Sequence, residues 1–233
     1  MNVLIVHAHP EPQSFTTSMM KTAVADFTAD GHSVEVSDLY AMNWNPVASA
    51  EDFGSRKKDD YLVYALEQRH GYEGGTIAAD IAAEIEKVKK ADLIIFSFPL
   101  YWFSVPAILK GWIDRVLVSG FCYGGLRFYD NGGLKGKKAA LNFTLGGREH
   151  MFGPGAIHGE LNEMLRPILR GTFAYVGLDV LPFFAAYHIP YLKPEAREQI
   201  MQDYRAYLEE LENLKPLVFP KMSDFDEKLY PKK

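Results

Sequence analysis

Three short apolar runs constrain this chain more than any other feature: residues 3–7, 93–98 and 139–145. Each is strand length and rich in Val, Ile, Leu and Phe, with few polar interruptions. A strand that faces water on one side alternates apolar and polar residues, whereas a nearly continuous apolar run must be covered on both faces. Helices above and below a parallel sheet supply that cover. Two weaker strand signals, at 34–36 and 176–181, complete the set, and the first alternates as an edge strand does. Helical spacing fills the intervals at 15–29, 77–90, 106–118, 159–175 and 194–214.

A repeated β-α pattern with right-handed crossovers gives an α/β fold with an open, doubly wound parallel sheet. Five strands suit the flavodoxin-like order 2-1-3-4-5 better than a six-stranded dinucleotide fold. With 233 residues, one flavodoxin-like domain over 1–215 and a C-terminal extension over 216–233 account for the chain. The extension, with Tyr230 and Pro231, is expected to reach a partner subunit. Residues 40–75 exceed the minimal pattern, and loops of that length commonly serve function or oligomerisation. Within them SRKKDD at 55–60 reads as a solvated mixed-charge face.

Bulk properties narrow the function. A formal charge of −5 with scattered Lys and Arg gives no footprint for nucleic acid. No apolar run approaches membrane-spanning length, and the chain opens on a strand instead of a basic leader, so a cytoplasmic protein that is not membrane-embedded is expected. The single cysteine, Cys122, has no disulfide partner and reads as a small core residue. GxSxG, P-loop, HExxH and EF-hand patterns are all missing. His7 and His9, like His150 and His158, are close in sequence without the further ligands of a metal site, so no metal is expected.

In an open α/β sheet, ligands bind beyond the carboxyl ends of the strands, so the loops after strands 1, 3 and 4 matter most. The first, HAHPEPQSFTTSMM at 7–20, places Ser14 as the cap of the helix that starts at Phe15. Its unpaired amides and the helix dipole favour a phosphate, with Thr16, Thr17 and His9 as further donors, although a Ser cap also occurs with no ligand. The second, FPLYWFSVPAILKGWIDRV at 98–116, carries Pro99, Tyr101, Trp102 and Phe103 ahead of Pro106 as the first helical residue. Such aromatics suit a planar ring, and equally a core or dimer interface. The third, NFTLGGREHMFGPGAIHG at 142–159, offers Thr144, Gly146 and Gly147 where a backbone approaches something closely. GPGAIHG there is not a dinucleotide fingerprint, because His158 takes the last glycine position. His158 itself is either structural or a hydrogen-bond donor to a reduced carbonyl.

Taken together, AHPEPQSF at 8–15, SDLYAMNWNP at 37–46, FPLYWFSVPAILKGWIDRV at 98–116, TLGG at 144–147 and IHG at 157–159 resemble the NAD(P)H:quinone oxidoreductases, the DT-diaphorase-like flavoproteins. The resemblance spans most of the chain. It implies two-electron, ping-pong hydride transfer from NAD(P)H to a quinone through bound FAD, by a homodimer. FAD would then be held by His9, Ser14, Phe15 and Thr16 at its phosphates. Pro99, Leu100, Trp102 and Phe103 would border its ring on one side, with Thr144, Leu145, Gly146 and Gly147 on the other. Ile189 and Arg197 would lie towards the adenine, and Asp114 stands where the family usually has Glu.

The resemblance further implies a substrate pocket shared between subunits, drawing on Trp102, Phe103, Tyr123, Phe152, Tyr175 and a catalytic His158. Phe152 replaces the Tyr that well-known members pair with this His, and Gly125 replaces another pocket Tyr. An FMN-dependent azo or nitro reductase of the same fold, and a flavin-bound regulatory subunit of a potassium-efflux transporter, are the alternatives.

Overall fold

The computed structural model describes residues 1–232. Its strands are β1 (Asn2–His7), β2 (Ser33–Asp38), β3 (Leu93–Pro99), β4 (Lys138–Thr144), β5 (Asp179–Val180) and β6 (Phe184–Ala186). The helices are α1 (Phe15–Ala29), α2 (Tyr64–Gly74), α3 (Ala79–Lys90), α4 (Ala107–Val116), α5 (Leu161–Met164), α6 (Arg166–Ile168) and α7 (Pro194–Glu210). The strands form one parallel sheet in the order β2-β1-β3-β4-β5, as the apolar runs require, with β6 also paired to β4. None of the described helices is long and apolar enough to cross a membrane.

Alternate residues of the central strands feed two cores. Leu4, Val6, Ile94, Phe96 and Phe98 pack with Ile81, Ile85 and Val88 of α3 and Leu109, Trp112 and Val116 of α4. Val3, Ile5, Leu93 and Ile95 pack with Met19, Ala23 and Phe27 of α1 and Tyr204 and Leu208 of α7. All seven residues of β3 are buried. That double burial is the physical origin of the continuous apolar signature.

The fifth strand differs from the expected single run at 176–181. Asp179 pairs with Lys138, whereas Phe184 pairs with Asn142, so the fifth strand carries one extra residue between its two halves. Pro182 lies in that interval, lacks an amide for the ladder, and gives its carbonyl to the Tyr207 hydroxyl at 2.8 Å. The helix expected over 159–175 is likewise broken, into α5, α6 and a π-helical turn at Leu169–Ala174. Pro167 explains the interruption, since it supplies no amide and its ring crowds the preceding turn. Two helix starts also shift: α3 begins at Ala79, and Pro106 is the cap of α4 with an extended ψ of 150°, not its first residue.

Residues 40–75 are tied down rather than loose. Beyond the unanticipated α2, Asp52 is buried against Arg115 of α4, which reaches its Oδ1 through Nε at 3.1 Å and Nη2 at 2.8 Å. Tyr64 donates to the other Asp52 oxygen at 2.6 Å, and Arg115 also bonds the Asn45 carbonyl and stacks over Trp44. Burial alone would raise the Asp52 carboxyl, but hydrogen bonds from Arg115, Tyr64 and the Ser49 amide outweigh it and hold it below the usual range. Gly111 completes the contact: a Cβ there would meet the Pro46 carbonyl at 2.2 Å. After α7 the chain returns to its own sheet, where the Leu217 amide bonds the Val180 carbonyl at 2.8 Å and Leu217 and Phe219 join the larger core.

Candidate active site

The loop after β1 ends at a built helix start. Ser14 caps α1 with extended backbone, and its Oγ accepts the Thr17 amide at 3.0 Å. No acceptor among the described residues takes the amides of Phe15 and Thr16, as expected of an open first turn. Those two N–H groups and the positive end of the helix dipole make a site for an anion. The Thr16 and Thr144 hydroxyls lie 2.8 Å apart and bind this helix start to the end of β4. His9 accepts the Glu11 amide on Nδ1 at 3.0 Å, which leaves the proton of its neutral ring on Nε2. Burial makes His9 less basic than usual, partly countered by Glu11.

After β3 the chain turns back within two residues. The Tyr101 and Ser104 amides each bond the other's carbonyl, at 3.0 and 2.9 Å, with Trp102 and Phe103 at φ of 50° and 55° between them. Left-handed backbone at a bulky residue costs about 1–2 kcal/mol. Here it occurs twice in succession, with Trp102 96% exposed. Strain retained at aromatic residues beside a cleft points to use of the turn itself. The Leu100 amide bonds the Thr144 carbonyl at 2.8 Å and holds the turn against the third loop.

A cleft of about 370 Å³ joins these loops. It gathers the expected His9, Ser14, Phe15, Thr16, Pro99, Leu100, Thr144, Leu145, Gly146, Ile189 and Arg197, and adds Gln13, Tyr101 and Pro190. Trp102, Phe103 and Gly147 are not part of its wall. Gly147 instead makes room for Phe152, whose ring would lie 2.8 Å from a Cβ at that position. The buried Nε of Arg197 has no partner, an orphaned donor at the edge of the cleft. Unpaired helix amides, an unpaired guanidinium nitrogen and the open backbone at Gly146 fit an anionic nucleotide-type cofactor.

Of the six residues expected in the substrate pocket, five fall into two groups, and the exposed Trp102 stands apart from both. Phe152 and His158 are 5.1 Å apart between ring centres, and Phe103 lies 5.5 Å from His158 and 6.4 Å from Phe152. Tyr123 and Tyr175 belong to a second cluster with Phe128 and Tyr129, outside the cleft wall. Gly125 has open space where a side chain would stand. Asp114 forms an exposed ion pair with Lys110 at 2.7 Å, one turn away on α4.

One polar network was not foreseen. His7 pairs in register with Ser97 of β3, and Ser97 with Asn142 of β4, so the three central strands carry buried polar residues at the same level near their carboxyl ends. His7 is within hydrogen-bond reach of Ser97 Oγ, 3.2 Å from Nδ1, and of Thr17 Oγ1, 3.1 Å from Nε2. The available signal was a polar residue inside each otherwise apolar run.

A cleft beyond the carboxyl ends of a 2-1-3-4-5 sheet, headed by a helix N-terminus, defines a flavodoxin-like protein, and the flavodoxin-like fold family matches residues 1–211. The chain is 42% identical to rat NAD(P)H dehydrogenase (quinone) 1 over 224 residues, which cover 96% of this chain and 82% of the rat protein. A structure from Klebsiella pneumoniae, solved as a candidate quinone reductase, superposes with a TM-score of 0.95 at 35% identity, covering 100% of this chain and 94% of that one. General stress protein 14 of Treponema denticola, solved with FMN, gives 0.62 at 28% identity, over 91% and 99% of the two chains. The chain therefore belongs, within the flavodoxin-like fold, to the NAD(P)H:quinone oxidoreductase family.

Proposed function

We propose that this chain is an FAD-dependent NAD(P)H:quinone oxidoreductase acting as a homodimer. The observation that carries the reading is the single cleft in which the open α1 start, the strained turn at 101–104 and the Gly146 loop converge. Bound there, a flavin supplies the two-electron redox chemistry between NAD(P)H and quinone. The chain does the rest. Phe15 and Thr16 amides, with Ser14 and His9, receive the phosphates, and the Trp102 and Phe103 amides, which no acceptor among the described residues takes, are offered to the polar edge of the ring. Gly146 lets backbone approach closely, while Ile189 and Arg197 give an apolar and a cationic wall that suit the adenosine half of FAD better than the shorter FMN.

Phe103, Phe152 and His158 form an aromatic wall for nicotinamide and quinone. Phe152 has no hydroxyl, so the side-chain proton donor of this group is His158. The exposure of Trp102 and the position of Tyr123 and Tyr175 outside the cleft support a pocket completed by a second subunit. Mass spectrometry of the cofactor released on denaturation is expected to give FAD, and the purified protein is expected to oxidise NAD(P)H when a simple quinone is added. Colourless protein that takes up no flavin and leaves NAD(P)H untouched contradicts the proposal. Release of FMN instead favours the azo- or nitro-reductase reading.

A further inference from the structure

His7 is a fully buried imidazole that the redox chemistry above does not use, placed directly behind the helix start that receives phosphate. Of the groups around the Thr17 hydroxyl, the Glu11 carbonyl at 3.1 Å is the one that can only accept. With the single Thr17 proton on that carbonyl, the contact between His7 Nε2 and Thr17 Oγ1 is donated by the imidazole, an assignment that satisfies every partner of the group. With its proton on Nε2, His7 has a bare Nδ1, which accepts the Ser97 hydroxyl. Ser14 Oγ, which accepts the Thr17 amide, lies 2.9 Å from the same Thr17 oxygen, and with the Thr17 proton on the Glu11 carbonyl it is the Ser14 hydroxyl that donates across this contact.

This arrangement bears on ligand binding. An incoming phosphate competes with Thr17 for the Ser14 proton. If the Ser14 proton were the only donor to Thr17 Oγ1, releasing it would leave that part-buried oxygen accepting from no group, a loss of one hydrogen bond. Because His7 also donates to that oxygen, Ser14 can turn its hydroxyl to phosphate while Thr17 stays satisfied and keeps its bond to the Glu11 carbonyl. The carbonyl in turn accepts the Ser14 amide at 3.1 Å and closes the loop.

We propose that His7 is a positioning residue for phosphate recognition, acting through Thr17 to hold the 11–14 loop and free the Ser14 hydroxyl for the ligand. The proposal rests on the flavin reading above and specifies how its phosphate end is prepared.

The test compares FAD with riboflavin, which carries the ring but no phosphate, by quenching of flavin fluorescence on the full-length chain. His7→Leu is expected to weaken FAD by about 5- to 10-fold, the scale of one lost hydrogen bond, and to leave riboflavin affinity unchanged. His7→Gln, whose amide can still donate to Thr17, is expected to recover most of the loss. Equal weakening of both ligands, or none, overturns the proposal. In the wild-type chain, ring ¹⁵N spectra are expected to place the His7 proton on Nε2 at neutral pH, and a proton on Nδ1 overturns the proposal while leaving the flavin reading intact. A wild-type chain that binds neither ligand refutes the flavin reading, and the proposal falls with it.

Discussion

Trp102 and Phe103 hold two consecutive left-handed conformations that neither side chain favours, and Trp102 recovers almost nothing by burial in a single subunit. Asn tolerates that backbone far better. Trp102→Asn is therefore expected to unfold at an equal or higher denaturant midpoint, by up to about 1 kcal/mol, while quinone turnover drops. A clear loss of stability in the isolated subunit would refute stored strain at the turn. Ser14→Ala is expected to cost about 1 kcal/mol as a lost helix cap and, beyond that, to speed the release of bound flavin. Burial holds the His7 ring at about 4, down from 6.5, with His9 and Lys21 adding to the effect and Asp38 and the Ser97 backbone opposing it. As pH falls from 6.5 to about 4, the unfolded chain binds a proton that the native state refuses. Stability should decline across that window, by at most about 3 kcal/mol. Urea midpoints at pH 7 and 4.5 check this, and His7→Leu should show the smaller decline.

At the scale of elements, the interior strands were legible because burial on both faces leaves a run that no other structure writes so plainly. The start of α1 was legible through the chemistry of Ser14 as a cap. The fifth strand and the helix over 159–175 were not, because periodicity registers side-chain burial and is blind to the ladder bonds that Pro182 and Pro167 remove. Nor was α2, whose partner lies far away in sequence: its Gln68 donates to the Asp114 carbonyl of α4 at 2.8 Å. The His7, Thr17 and Ser97 group depends on strand register, which the order of residues along one chain does not display. Arg115→Leu is expected to lower stability by about 3–5 kcal/mol, since it leaves the buried Asp52 carboxylate without its partner. Thermal unfolding measures that loss, and a change under about 1 kcal/mol would show that the segment over 40–75 is held by something else.

For the whole molecule, the division of the pocket residues into two aromatic groups is the feature to explain. Phe103, Phe152 and His158 pack on one another and, through Phe152, against Gly147 of the loop after β4, whereas Tyr123 and Tyr175 pack with Phe128 and Tyr129. A dimer that brings the second group of one subunit over the cleft of the other accounts for both. His158→Gln and Tyr123→Ala should each depress quinone turnover, and refolding the two variants together should restore part of it, because one of the two sites in a mixed dimer is then free of either change. No recovery on mixing would place the whole pocket within one subunit. The central claim is that this cleft holds a flavin that passes two electrons from a nicotinamide nucleotide to a quinone. Its most direct test is anaerobic stopped-flow absorbance of the purified protein. Addition of NADH or NADPH is expected to bleach the bound flavin in one phase, and a quinone added next is expected to restore the colour without further nucleotide. Flavin absorbance that neither nucleotide bleaches, or that no quinone restores, contradicts the account.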